Sequence, residues 1–207
     1  SKFAPENRVG YFPAFAGAWR LKEEFFKNIK AISEFKLRVG WGETGQQDGI
    51  GYYSYLPVYT RSNATALYQF GDMFYSFLRP QGYDPNIKWE STTTQNIGID
   101  FGFFNNRISG SVDYFEKKTE DLLSTVPVAP GANFVNLITT NVGNMEVKGV
   151  ELSVNTIPVK NKNVTWELGF NYTYNTQEIT NLLKQEDPNF KGIDVSGISG
   201  GTGNNIG

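Results

Sequence analysis

The chain has 207 residues, 39% of them apolar and 15% aromatic, with a net charge of -2 and neither cysteine nor histidine. That charge, without a basic stripe, argues against a nucleic-acid partner. The missing residue types exclude the usual zinc sites and the Ser-His-Asp and Cys-His nucleophiles, and no cofactor is expected. Mean hydropathy is -0.39, and no apolar run reaches the roughly 18 residues of a membrane-spanning helix. A transmembrane β-barrel stays open, because only every second strand residue of a barrel meets lipid.

In chain order, residues 9–21 alternate Tyr11, Phe15, Trp19 and Leu21 with Phe12, Ala14, Ala16, Ala18 and Arg20, the least clean of the alternations. Lys22 to Glu34 has Phe25, Ile29 and Ile32 at helical spacing, which predicts a short amphipathic helix. Residues 35–43 put Phe35, Leu37, Val39 and Trp41 opposite Lys36, Arg38, Gly40 and Gly42. A long excursion follows, with a short strand predicted over Tyr52 to Tyr59.

Residues 91–104 and 107–117 meet at Asn105-Asn106, a pair that tolerates the left-handed backbone of a two-residue hairpin turn. Folding there sets Phe103 opposite Ile108, Phe101 opposite Gly110, Ile99 opposite Val112 and Ile97 opposite Tyr114. Gly102, Asp100 and Gly98 then face Ser109, Ser111 and Asp113. One face is apolar on both strands, and a one-residue slip would destroy the match. Residues 148–158 alternate Val150, Leu152 and Val154 with Glu151, Ser153 and Asn155. In residues 164–175 Val164, Trp166, Leu168, Phe170, Tyr172 and Tyr174 share a face opposite Glu167 and Asn171.

These are six strands whose connections alternate short and long, so turns gather at one end of the sheet and large loops at the other. Outer-membrane barrels sort their loops in this way. The same alternation also fits a soluble or surface β-sandwich that binds a ligand and buries its apolar face against a second sheet.

The remaining motifs have plain readings. Glu116, Glu120 and Asp121 lie beside Lys117 and Lys118 as a solvated strand exit, and no converging acid-base pair can be placed, so an enzyme is disfavoured. Gly197 to Asn204 is glycine-rich but lacks the lysine of a phosphate loop and reads as a flexible loop. Asp48, Asp72 and Asp84 lack calcium-loop spacing. The best binding candidates are the aromatics of the first long excursion: Tyr52, Tyr53, Tyr55, Tyr59, Tyr68, Phe70, Phe74, Tyr75 and Phe77. Such rings stack on sugars or clamp peptides, or else pack the loop onto itself.

The run Gln81 to Asp100, with Lys88-Trp89-Glu90 and Gln95-Asn96, resembles the barrel of SusC/RagA-type TonB-linked outer-membrane proteins. So do Asn105-Asn-Arg-Ile-Ser-Gly110, Lys117-Lys-Thr-Glu-Asp-Leu-Leu123, Asn141-Val-Gly-Asn-Met145, Lys148-Gly-Val-Glu-Leu152 and Trp166 to Ile179. Arg8 to Leu21 and Leu37 to Gly45 are similar upstream. Val147, where the family usually has Asn, and Gln46, which follows Thr44-Gly45 where Asn is common, are mild departures.

The resemblance implies an all-β fold: about six antiparallel strands of a barrel of roughly 22, with long external loops. The chain is then expected to be one wall of that barrel in the bacterial outer membrane, without the plug and N-terminal domains. It also implies import of oligosaccharides or peptides powered by TonB, with a SusD-like surface lipoprotein as lid. On this reading Phe35, Leu37, Val39, Trp41, Ile97, Ile99, Phe101, Val112, Leu152, Trp166, Leu168 and Phe170 face lipid. The loop from Gly45 to Lys88 lies outside the cell and touches lid or substrate.

Overall fold

The computed structural model describes residues 1–129 and 131–181, and the backbone of 193–194 and 205–206. Gly197 to Asn204 lies outside the described residues. In chain order the strands are β1 (Ala14–Arg20), β2 (Ile32–Gln46), β3 (Tyr59–Arg61), β4 (Tyr68–Phe70), β5 (Met73–Tyr75), β6 (Leu78–Pro80), β7 (Glu90–Phe103) and β8 (Ile108–Glu120). They continue with β9 (Leu123–Pro127), β10 (Leu137–Asn141), β11 (Asn144–Lys160) and β12 (Thr165–Asn181). Six form one antiparallel sheet in the order β1-β2-β7-β8-β11-β12, and the short strands pair as separate hairpins.

The β7–β8 hairpin takes the register that its alternation dictates, from Phe103 opposite Ile108 through Ile97 opposite Tyr114 to Ser91 opposite Glu120. The Arg107 N–H donates to the Phe104 carbonyl at 3.3 Å. Asn105 and Asn106 inside that turn have φ of 57° and 59°. Two consecutive left-handed residues match the right-handed twist of the strands they join. Phe104 is also left-handed, at φ 53°, and its N–H donates to the Ala31 carbonyl at 2.8 Å. The shift between Thr156 and Val159 spans Pro158, which has no N–H to give the ladder.

Two sequence expectations change. The helix covers only Leu21–Phe25; residues 26–31 turn the chain back, and the sheet claims the end of the stretch, where Ile32 pairs with Phe103 and Glu34 with Gly102. Phe25 and Phe26 instead turn their rings onto Trp19 and Phe35, at 5.5 and 5.6 Å. Tyr52 to Leu56 is turn and bend rather than strand, and Tyr53 there has φ 64°. The short strand begins only at Tyr59 and pairs with β6.

Register sorts the sheet into two faces. Across one, Phe35, Phe101, Gly110, Val154 and Phe170 form a transverse row. Leu37, Ile99, Val112, Leu152 and Tyr172 form the next, and Val39, Ile97, Tyr114, Val150 and Tyr174 the one after. Further toward the long loops the same face becomes charged. Lys118 contacts Glu116 and Glu146 at 3.0 and 3.5 Å, and Lys148 contacts Glu146 and Glu116 at 2.9 and 3.7 Å.

The opposite face is polar. Lys36 reaches Asp100 at 2.6 Å. Arg38 donates from Nε to Asp100 at 2.9 Å and from Nη2 to Asp113 at 2.8 and 3.1 Å. The second contact crosses the whole of β7, and bare Gly98 makes room for it. A Cβ at that position would lie 2.0 Å from the Asp113 carboxylate.

The apolar rows have no second layer. Phe170 is 58% exposed and Trp166 52%, and among the described residues no other sheet pairs with or covers them. The buried apolar residues Phe3, Ala4, Ile50 and Ile87 all lie outside the sheet, among the loops. A sandwich core is therefore absent from the described residues, and the packed interior sits at the long-loop end.

Candidate functional site

The long-loop end is built from three segments: the residues before β1, the β2–β7 excursion and the β8–β11 excursion. Phe3, Ile50 and Ile87 form its core, with Tyr55, Trp89 and Leu123 packed against them. The Phe3 and Phe12 rings lie 5.0 and 5.6 Å from Trp89. Lys2 donates to the Gln47 carbonyl at 3.0 Å, and Asn7 to the Ile87 carbonyl at 3.3 Å.

Polar side chains lock the two excursions together. Asn141 donates from Nδ2 to the carbonyls of Lys88 and Asp121, at 2.9 and 2.8 Å, and its Oδ1 accepts the Lys88 N–H at 2.8 Å. The Glu90 carboxylate accepts the Leu123 N–H at 3.1 Å. Asp84-Pro85-Asn86 folds as an Asx turn, in which the Asp84 carboxylate accepts the Asn86 N–H at 2.9 Å. The Thr140 hydroxyl donates to that same carboxylate. Asp84, Thr140 and Asn141 are all buried, so losing any of these bonds would strand a buried polar group at a cost of about 1–3 kcal/mol.

From this base the first excursion projects an arm of two stacked hairpins. In the lower one β3 pairs with β6, and in the upper one Tyr68 pairs with Tyr75, Gln69 with Phe74 and Phe70 with Met73. Ser62 and Phe77 join the tiers, the Ser62 N–H donating to the Phe77 carbonyl at 2.8 Å and the Phe77 N–H to Ser62 Oγ at 3.1 Å.

The nine aromatic candidates therefore separate. Tyr55 is half-buried against the core. Tyr52 and Tyr53 stand exposed on the turn beside it. Tyr59 lies 6.4 Å from the Phe134 ring of the second excursion. Tyr68, Phe70 and Tyr75 share one face of the upper hairpin with Met73, while Phe74 takes the other. Phe70 is 71% exposed.

The carboxylates near the β8 exit do not converge on a common point: Glu116 is paired with Lys118 at 3.0 Å and Asp121 with Lys88 at 2.6 Å. The locking residues Asp84, Glu90, Thr140 and Asn141 escaped sequence reasoning. The Asp84-Pro85-Asn86 turn was one local signal, and Glu90 and Asn141 lie in the motifs that carry the family resemblance, which mark the positions without showing what they bond.

An antiparallel sheet with one uncovered apolar face, tight turns at one end and packed excursions at the other is a wall of a transmembrane β-barrel. Residues 2–207 match the family described as TonB dependent receptor-like, beta-barrel. The chain belongs to that family and is of its SusC/RagA type, an outer-membrane class.

It is similar to TonB-dependent receptor SusC of Bacteroides thetaiotaomicron, with 46% identity over 191 residues, which are 92% of this chain and 19% of SusC. It is 34% identical to TonB-dependent receptor P39 of Formosa agariphila over 87% of the chain and 17% of that protein. Among solved structures it is similar to the RagAB peptide transporter, with TM-score 0.75 and 29% identity over 88% of this chain and 19% of that one. For the RagAB importer in its open-open state the TM-score is 0.77, at 29% identity over 92% and 20%. The chain thus spans about a fifth of the length of these relatives.

Proposed function

We propose that the protein to which this wall belongs is a TonB-driven outer-membrane importer of oligosaccharides or peptides that works with a SusD-like surface lipoprotein. One observation carries the membrane part of this reading: the sheet leaves its apolar rows uncovered, and the charges level with those rows, Lys36, Arg38, Asp100 and Asp113, lie on the other face. Phe35, Leu37, Val39, Trp41, Ile97, Ile99, Phe101, Val112, Leu152, Trp166, Leu168 and Phe170 then face lipid. Lys36, Arg38, Asp100, Asp113, Glu151, Glu167 and Asn171 face the lumen.

The dimensions agree with that assignment. Val164 to Tyr174 is ten steps of about 3.4 Å along the strand, which at a tilt of roughly 40° gives about 26 Å of height. The apolar band of an outer-membrane barrel is about 25 Å tall. The charged lattice of Glu116, Lys118, Glu146 and Lys148 begins where that band ends.

The arm supports the uptake part. An ordered loop this rich in exposed rings, fixed to a rigid base, suits contact with the lipoprotein lid or the substrate. RagAB, the structural relative, is described as a peptide importer with open-open and closed-closed states. Growth on the imported nutrient tests the reading. A strain carrying the full-length protein is expected to lose that growth when TonB is removed. Growth that continues at the same rate without TonB would sink it.

A further inference from the structure

We infer that the opening between the two external excursions is a binding site for a sugar residue, distinct from the aromatic arm. The inference rests on the importer reading and names one place where a substrate of such a protein would be held. The opening has a volume of about 310 Å³, at the lower end of the roughly 300–1,000 Å³ of small-molecule sites. Asp84, Asn86, Lys88, Asp121, Asn141 and Asn144 line it, and Val142 is the sole aliphatic side chain in the lining.

Its floor is fixed in advance. Asn141 clamps both excursions, and Asp84 is held by Thr140 and the Asn86 N–H. Other groups at the rim keep hydrogen-bonding capacity. The Asn86 side chain makes no hydrogen bond among the described residues. Asn144 uses its Oδ1, accepting the Asp121 N–H at 3.3 Å, and leaves its two Nδ2 donors. Lys88 and Asp121 share one contact of 2.6 Å, which leaves two ammonium N–H groups and one carboxylate oxygen.

Donors and acceptors therefore alternate around a small space. A sugar hydroxyl donates and accepts at once, and such a rim satisfies both demands. The Lys88 charge is already offset by Asp121, so an anion has little to gain. With one aliphatic side chain in the lining, a peptide's apolar groups have nowhere to bury.

The test uses the purified full-length importer in detergent. Calorimetry would follow a panel of neutral hexasaccharides (α-1,4-glucan, β-1,3-glucan and β-1,4-mannan) and an oligoalanine peptide. Asn86→Phe places a ring in the opening, and Asn86→Ala removes an amide that no described contact needs. At least one hexasaccharide is expected to bind. Asn86→Phe should then weaken it at least tenfold and Asn86→Ala severalfold, while Lys162→Ala at the opposite end of the barrel leaves it unchanged. Heat-modifiable gel migration reports folding for each variant. Hexasaccharide binding that both Asn86 variants preserve would overturn the site while leaving the importer standing. Binding of the peptide alone would overturn the sugar assignment. Failure of the importer reading itself shows separately, as growth independent of TonB.

Discussion

Leu152→Arg in the full-length protein is expected to leave most of it unassembled, recovered as protease-sensitive material rather than as a heat-modifiable barrel. Leu152 sits in the middle of the apolar rows, between Val112 on β8 and Tyr172 on β12. A guanidinium near the middle of the bilayer costs roughly 2–4 kcal/mol, a large fraction of a typical net folding free energy of about 5–15 kcal/mol. The adjacent Ser153→Arg is the internal control. Ser153 pairs with Ser111 and Asn171 on the polar face, so the same charge one residue away should assemble normally. Equal assembly of the two variants would mean that the apolar face meets something other than lipid.

Removing residues 63–76 and closing the gap with Gly-Gly is expected to spare the barrel and impair uptake. The cut is placed where Ser62 and Phe77 already bond to each other, so β3 and β6 keep their pairing. The core of Phe3, Ile50 and Ile87 lies outside the deleted stretch. The deletion removes Tyr68, Phe70, Met73, Phe74 and Tyr75, the exposed apolar tip of the arm. Exposed clusters of that kind mark interaction surfaces. Initial uptake of the cognate nutrient, or co-purification of the lipoprotein, should fall at least tenfold at unchanged barrel yield. Unchanged growth together with unchanged lipoprotein recovery would show that the arm serves neither.

Legibility in the sequence followed the reach of each interaction. The β7–β8 register could be worked out in advance because strand side chains repeat every two residues and Asn105-Asn106 pins the turn. The far ends of several other strands could not, since Thr44 to Gln46, Lys118 to Glu120 and Thr176 to Asn181 continue the ladder without apolar contrast. The region from Lys22 to Glu34 misled because Phe25, Ile29 and Ile32 have helical spacing, yet pairing of Ile32 and Glu34 with β7 outweighed that local pattern.

The base of the loops was invisible for a different reason. Asn141 acts on Lys88, 53 residues away, partly through the backbone carbonyl that every residue carries. No composition or spacing marks such a partner. The aromatic richness of the first excursion was plain, but its division into a packed Tyr55 and a projecting Tyr68–Tyr75 hairpin depended on contacts with Phe3 and Ile87.

The central claim is that this sheet stands as a single layer between lipid and lumen. The chain has no cysteine, so single cysteines can be placed at each position from Val150 to Asn155 in a cysteine-free full-length protein and labelled with a fluorophore. In lipid vesicles, a quencher confined to the hydrocarbon should quench labels at positions 150, 152 and 154 and spare those at 151, 153 and 155. A water-soluble quencher should do the reverse at any position it can reach. Uniform quenching along the strand, or lipid-phase quenching at 151, 153 and 155, would contradict the account.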